Sequence, residues 1–178
     1  MCNVGRDKLE EWFPALKGTS WSIESNGTSL YNCLAWAAGE THQRWDSNKG
    51  DFWPDENKHK RGIAYLVAAY RAVGFKKCDA SDGMTPDEQF DKIVLYCRGS
   101  EGTHAARLLD CGRWTSKIGD HEDIEHELPE HLHSGVYGEP FVYMKRKRMQ
   151  NEKEDKFPAQ NPEESPAVAS TDELQSGD

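Results

Sequence analysis

Two side chains of this 178-residue chain have the types and the order that thiol chemistry needs, Cys33 in YNCLAWAAG and His104 in THAARLLDCGRWTSKIG. A cysteine attacks as its thiolate, which the positive end of a helix start stabilises. It also needs a base within hydrogen-bond reach, usually a histidine that a third polar group orients. Cys33 at a helix start would be the nucleophile and His104 at a strand start the general base. Asp120 or Ser116 would orient His104, and Asn32 or a helix-start N–H would donate to an oxyanion. The bland alternative is packing, because Cys33 shares a helical face with Leu30, Leu34 and Ala37.

These residues must be positioned by the elements around them. Lys8 to Leu16 carries Leu9, Trp12, Phe13 and Leu16 on one side, a short helix limited by Pro14. Ser29 is the expected N-cap of the Cys33 helix and Gly39 its stop. Ile63, Leu66, Val67, Tyr70 and Val73 form the clearest apolar stripe, ending at Gly74. The period then changes. Strands are expected over Phe90–Arg98, His104–Leu109, Trp114–Ile118 and Pro140–Met144, with a short helix over Glu122–Leu128. Helices followed by hairpin-linked strands predict an α+β fold, an antiparallel sheet with helices packed to one side.

A two-residue loop at Cys111-Gly112 would set His104 opposite Gly119 and Ala106 opposite Lys117. Ala105, Arg107, Leu109, Trp114, Ser116 and Ile118 would then line one mostly apolar face. His104, Ala106, Leu108, Thr115 and Lys117 would line the other, with Asp120 just past the strand end near His104. A slip of one residue would bring Ser116 round instead.

Taken together, YNCLAWAAG, THAARLLDCGRWTSKIG, the following DIEH and the last, basic strand resemble a family of small, uncharacterised, mostly bacterial domains. The resemblance covers roughly residues 28–146. It implies that Asn32, Cys33, Trp36, His104, Arg107, Trp114, Ser116, Lys117, Gly119 and His126 are the marked positions. More distantly, the chain is similar to papain-like amidases of the cell-wall hydrolase type. Those carry Cys at a helix start and His on a following strand. Their third residue is usually His, Asn or Asp, where this chain has Ser116. The likeness implies a papain-like arrangement acting on an amide or ester bond.

Other signals are weaker. His121 and His126 are five apart and do not share a helical face, and neither CxxC nor HExxH occurs, so His121, His126, His131 and His133 predict no metal site. No cofactor is expected, because glycine-rich phosphate loops and dinucleotide fingerprints are missing. Arg107 and Lys117 beside Trp114 suit an anion such as phosphate or carboxylate. The run KRKR at 145–148 has no aromatic platform, so neither nucleic acid nor a membrane is an expected partner.

Five cysteines, odd in number and irregularly spaced, suit free thiols in a reducing cytoplasm. No secretory signal and no apolar run of membrane-spanning length is legible. One globular domain is expected over 1–148. The tail, 149–178, holds eight acidic residues against two lysines, net −6 of the chain's −9, and is expected to be disordered. The expected function is a cytoplasmic, papain-like thiol hydrolase or acyl transferase. The alternative is a non-catalytic binding module in which Trp114, Arg107, Ser116 and Lys117 form the recognition surface and Cys33 is core. Substrate, partner and oligomeric state are not legible.

Overall fold

The computed structural model describes residues 3–47, 51–56 and 62–148, so the expected tail and Cys2 lie outside the described residues. Helix α1 (Gly5–Trp12) is followed at once by a 3-10 turn, Pro14–Leu16. Pro14 has no N–H to continue the α-helical ladder, which divides the expected helix there. Helix α2 (Cys33–Ala37) is one short turn, and α3 (Ile63–Ala72) carries the apolar stripe seen in the sequence. Gly39 and Gly74, with φ of +83° and +92°, stop these helices in the left-handed region. The cap of α2 is Asn32, whose Oδ1 accepts the Ala35 N–H at 3.2 Å, rather than Ser29.

Seven strands form one antiparallel sheet: β1 (Trp21–Ile23), β2 (Lys76–Cys78), β3 (Phe90–Arg98), β4 (Glu101–Leu108), β5 (Trp114–Lys117), β6 (Asp123–His126) and β7 (Glu139–Lys147). Their order across the sheet is β1-β6-β5-β4-β3-β7-β2. The fold is therefore α+β, with few helices. A four-residue α4 (Ala80–Gly83) follows β2, and a second 3-10 turn, Pro129–Leu132, follows β6.

The expectation of helices on one side only is corrected by the core. Successive side chains of a strand point to opposite faces, and Ile93, Val94, Leu95 and Tyr96 of β3 are all buried. Such a strand needs cover on both sides. Val94, Tyr96, Ala106, Leu108, Trp114 and Ile124 pack with Leu9, Phe13, Leu16 and Leu132 on one face, face A. On the opposite face B, Ile93, Leu95, Ala105, Val142 and Met144 pack with Ala35, Ala37, Leu66, Val67 and Tyr70 from α2 and α3.

Two local expectations are also corrected. Glu122–Leu128 is not a helix, because Asp123–His126 pairs as β6 with both β5 and β1. The β4–β5 loop has three residues, since the Leu109 N–H bonds Arg113 O at 2.8 Å and the Gly112 N–H bonds Leu109 O at 3.0 Å. Gly112, at φ +86°, supplies the left-handed residue that such a loop needs. Arg107 thus faces Thr115 and Leu108 faces Trp114, one residue off the expected register. The slip turns Trp114 and Ser116 to the face of Leu108, and Thr115 and Lys117 to the face of Arg107.

The basic run 145–148 largely continues β7 and is met by carboxylates of the same unit. Lys145 bonds Asp82 at 2.5 Å, Arg146 bonds Asp91 at 2.7 Å, and Arg148 bonds Asp110 at 2.5 Å and Asp91 at 3.0 Å. On α3, Leu66 is 5% exposed and packs so closely on Gly102 that a Cβ there would meet its Cδ1 at 2.6 Å. Leu66→Ala is expected to cost about 2–5 kcal/mol in a denaturant melt. A change within the error of the melt would mean that α3 contributes nothing to the core.

Candidate functional site

Cys33 is the first residue of α2 and lies half-buried in the wall of a cleft of about 660 Å³. Asn32, Trp45, Trp53, Tyr65 and Thr103 line the cleft with it. The Asn32 side chain is engaged: Oδ1 also accepts the Trp45 N–H at 3.3 Å, and Nδ2 donates to Trp45 O at 2.9 Å. Asn32 therefore ties the loop through Trp45 to the start of α2. Trp53 and Tyr65 stack at 4.3 Å and give the cleft an aromatic wall.

Burial pushes the Cys33 thiol up to about 11, and the neighbouring backbone of Ala105 and Leu34 opposes that only in part. A five-residue helix offers little dipole to hold a thiolate. His104 does not supply the missing help. It is fully buried, and among the described residues neither ring nitrogen has a hydrogen-bond partner. Its ring stacks on Tyr137 at 4.0 Å and meets the edge of Tyr96 at 5.1 Å, both in the face A core. Burial, with His126 adding to it, holds His104 well below the usual imidazole range.

Strand alternation explains why the two side chains do not bond. Ala105 points to face B, where Ala35 and Ala37 of α2 pack, so its neighbour His104 points to face A. No hydrogen bond joins Cys33 to His104. Asp120 and Ser116 are likewise engaged elsewhere. Asp120 pairs with Arg44 at 2.5 Å, and Ser116 Oγ lies 3.0 Å from His126 Nε2.

Ser116 and His126 form a closed pair. The other ring nitrogen, His126 Nδ1, lies 2.8 Å from Leu128 O, an acceptor only. Nδ1 therefore carries the proton, and Nε2 accepts from the Ser116 hydroxyl. Burial lowers the His126 pKa to about 4.

Face B holds a ladder of rings and cations beside α2. The Arg107 guanidinium lies over Trp36 at 4.7 Å, Trp36 stacks on Tyr31 at 5.5 Å, and Lys117 Nζ lies over Tyr31 at 5.4 Å. Trp36 Nε1 donates to Thr115 Oγ1 at 3.2 Å. Asp123 Oδ2 accepts from the Tyr31 and Ser25 hydroxyls, each at 2.7 Å. Tyr31, Thr115 and Asp123 were not among the candidates drawn from the sequence. Their signal was there, since Tyr31 opens the first marked block and Asp123 opens DIEH.

Trp114, Ser116, Lys117 and His126 are all buried, so the expected recognition surface is interior. Trp114 sits in the face A core, edge-on to Tyr143 at 6.3 Å. Of that set only Arg107 keeps partial exposure. Among the described residues no group of three His, Cys, Asp or Glu side chains could hold a metal ion. Cys33, Cys78, Cys97 and Cys111 are free thiols, and no described helix is long and apolar enough to cross a membrane.

The pattern of one family, described as Domain of unknown function (DUF7689), matches residues 22–145. That span takes in α2, α3, the cleft and the ring-and-cation ladder. No curated protein and no solved structure matches the chain.

Proposed function

The chain belongs to that family of unknown function, and on that premise we propose that it is a non-catalytic binding module whose receiving surface is the cleft at the start of α2. The observation that carries this reading is the cleft itself, about 660 Å³ with a stacked Trp53–Tyr65 wall and a thiol to which His104 makes no hydrogen bond. A cleft of that size, lined mostly by polar groups such as Asn32, Ser47 and Thr103 with one aromatic wall, suits a polar ligand that also offers a flat face to stack. Cys33 then shapes the wall rather than attacking. The oriented Asn32 and Trp45 hold the rim in place.

A second reading has one observation in its favour, that Cys33 opens a helix and lines a cleft. In that reading the module is a papain-like thiol hydrolase or acyl transferase on an amide or ester bond, and His104 must turn towards Cys33 on substrate binding. Four free thiols suit a reducing, cytoplasmic setting for either reading.

Mapping of iodoacetamide adducts near neutral pH tests both. With the thiol raised to about 11, Cys33 is expected to react more slowly than the exposed Cys111. His104→Ala is expected to leave that rate unchanged. Cys33 outpacing Cys111, with the advantage lost in His104→Ala, would replace the binding reading by the hydrolase.

A further inference from the structure

Four arginines come from β4, β7, the residue just after β7 and the turn before β5, and three of them have carboxylate partners. Arg113 pairs with Glu125, Arg146 with Asp91, and Arg148 with Asp91 and Asp110. Arg107 is the exception. Among the described residues it makes no hydrogen bond and no ion pair, and its one close partner is the face of Trp36. A guanidinium presents five N–H donors in a rigid fork, and no described protein group accepts from them.

The fork's surroundings are only partly polar. Arg107 is largely withdrawn from solvent, and burial weakens its hold on its proton; Asp91 opposes this and Arg148 reinforces it. A charge removed from water is normally matched by an opposite charge and by hydrogen bonds. Here the neighbours hold the side chain without neutralising it. Trp36 is fixed by its bond to Thr115, which faces Arg107 across the β4–β5 pair. Gly39, at φ +83°, lies beside the guanidinium at the end of α2, its Cβ position 3.6 Å from an Arg107 terminal nitrogen. The residue is preorganised, and although Asp91 and Asp123 act on it through space, no described carboxylate bonds its fork.

We propose that Arg107, laid on Trp36 beside Gly39, is a binding site for an oxyanion, a carboxylate or phosphate group taken by the guanidinium fork. The site follows the end of α2, whereas Cys33 opens it, so it stands independently of what the cleft does. Arg113, Arg146 and Arg148 do not compete for the ligand, because their forks are already engaged.

The test titrates the full-length chain with inorganic phosphate, with acetate and with chloride at matched ionic strength. The Trp36 indole N–H resonance, assigned with Trp36→Phe, reports the site. A saturable shift with phosphate, acetate or both, and none with chloride, is expected, and the stronger of the two arms identifies the natural group. Arg107→Lys keeps a cation but loses the fork, and should weaken the apparent affinity about tenfold or more. Arg113→Lys should leave it unchanged. No saturable shift in the unaltered chain, or the same response in Arg107→Lys, would overturn the proposal. A lower melting temperature in Arg107→Lys with an unchanged anion response would reduce Arg107 to a structural stack on Trp36.

Discussion

Asp123→Ala is expected to cost about 3–5 kcal/mol of folding stability, more than any ordinary surface change. Asp123 is 2% exposed, and its carboxylate accepts from Ser25 and Tyr31 while lying opposite Lys117 in the β5–β6 register. Lys117 is itself fully buried, and its Nζ donates to His121 O. Burial depresses the lysine pKa, and Asp123 is the largest influence holding it up. The same carboxylate, after burial, helps to lift the Tyr31 hydroxyl to about 12. Alanine would remove the shared acceptor and leave a buried ammonium without its nearest compensating charge. Two hydroxyls would also lose a partner. Equilibrium denaturation should show the loss as a lower midpoint with an unchanged slope. The double variant Asp123→Leu with Lys117→Met should recover part of it, because the uncompensated charge is then gone. If Asp123→Ala proves near neutral, the carboxylate does not organise face B.

Acid should destabilise the protein in a window that buried histidines open, beginning above the range where carboxylates titrate. His126 has a pKa of about 4 in the folded chain, against 6.5 for the free imidazole. His104 is shifted in the same direction by burial and by His126. A base whose folded pKa is depressed binds its proton more readily when the chain unfolds. The stability is thus fully present above about pH 6.5 and is lost as the pH falls towards 4. For His126 alone the loss is about 3 kcal/mol over that window. Chemical denaturation between pH 7.5 and 4.5 should show net proton uptake on unfolding. His104→Phe keeps an aromatic ring against Tyr137 and Tyr96 and should reduce that uptake by about one proton. An unchanged slope in His104→Phe would mean that His104 is not held neutral in the fold.

Much of this protein is determined by its sequence alone. The periodicity of Ile63 to Val73 announces α3, because a run of apolar side chains has to be buried against the rest of the fold. The strand over Phe90–Arg98 is found at the residues expected for it, and glycines at 39 and 74 end helices where the left-handed conformation is needed. That most of the chain belongs to one uncharacterised domain was also legible, and one family's pattern spans residues 22–145.

Only tertiary structure decided which of those residues meet. A third loop residue at Gly112 moved the β4–β5 pairing by one position, and with a side-chain period of two this exchanged the faces of β5. Ser116 was thereby paired with His126, and Thr115 and Lys117 were brought to Arg107's face, beside Trp36 and Tyr31. Asp123–His126 has helix-like composition but becomes a strand because β5 and β1 supply partners on both sides. His104 and Cys33 have the right types and the right order. Strand alternation nonetheless sends His104 to face A while α2, which Cys33 opens, packs on face B, and local sequence carries no information about which face a distant helix will cover.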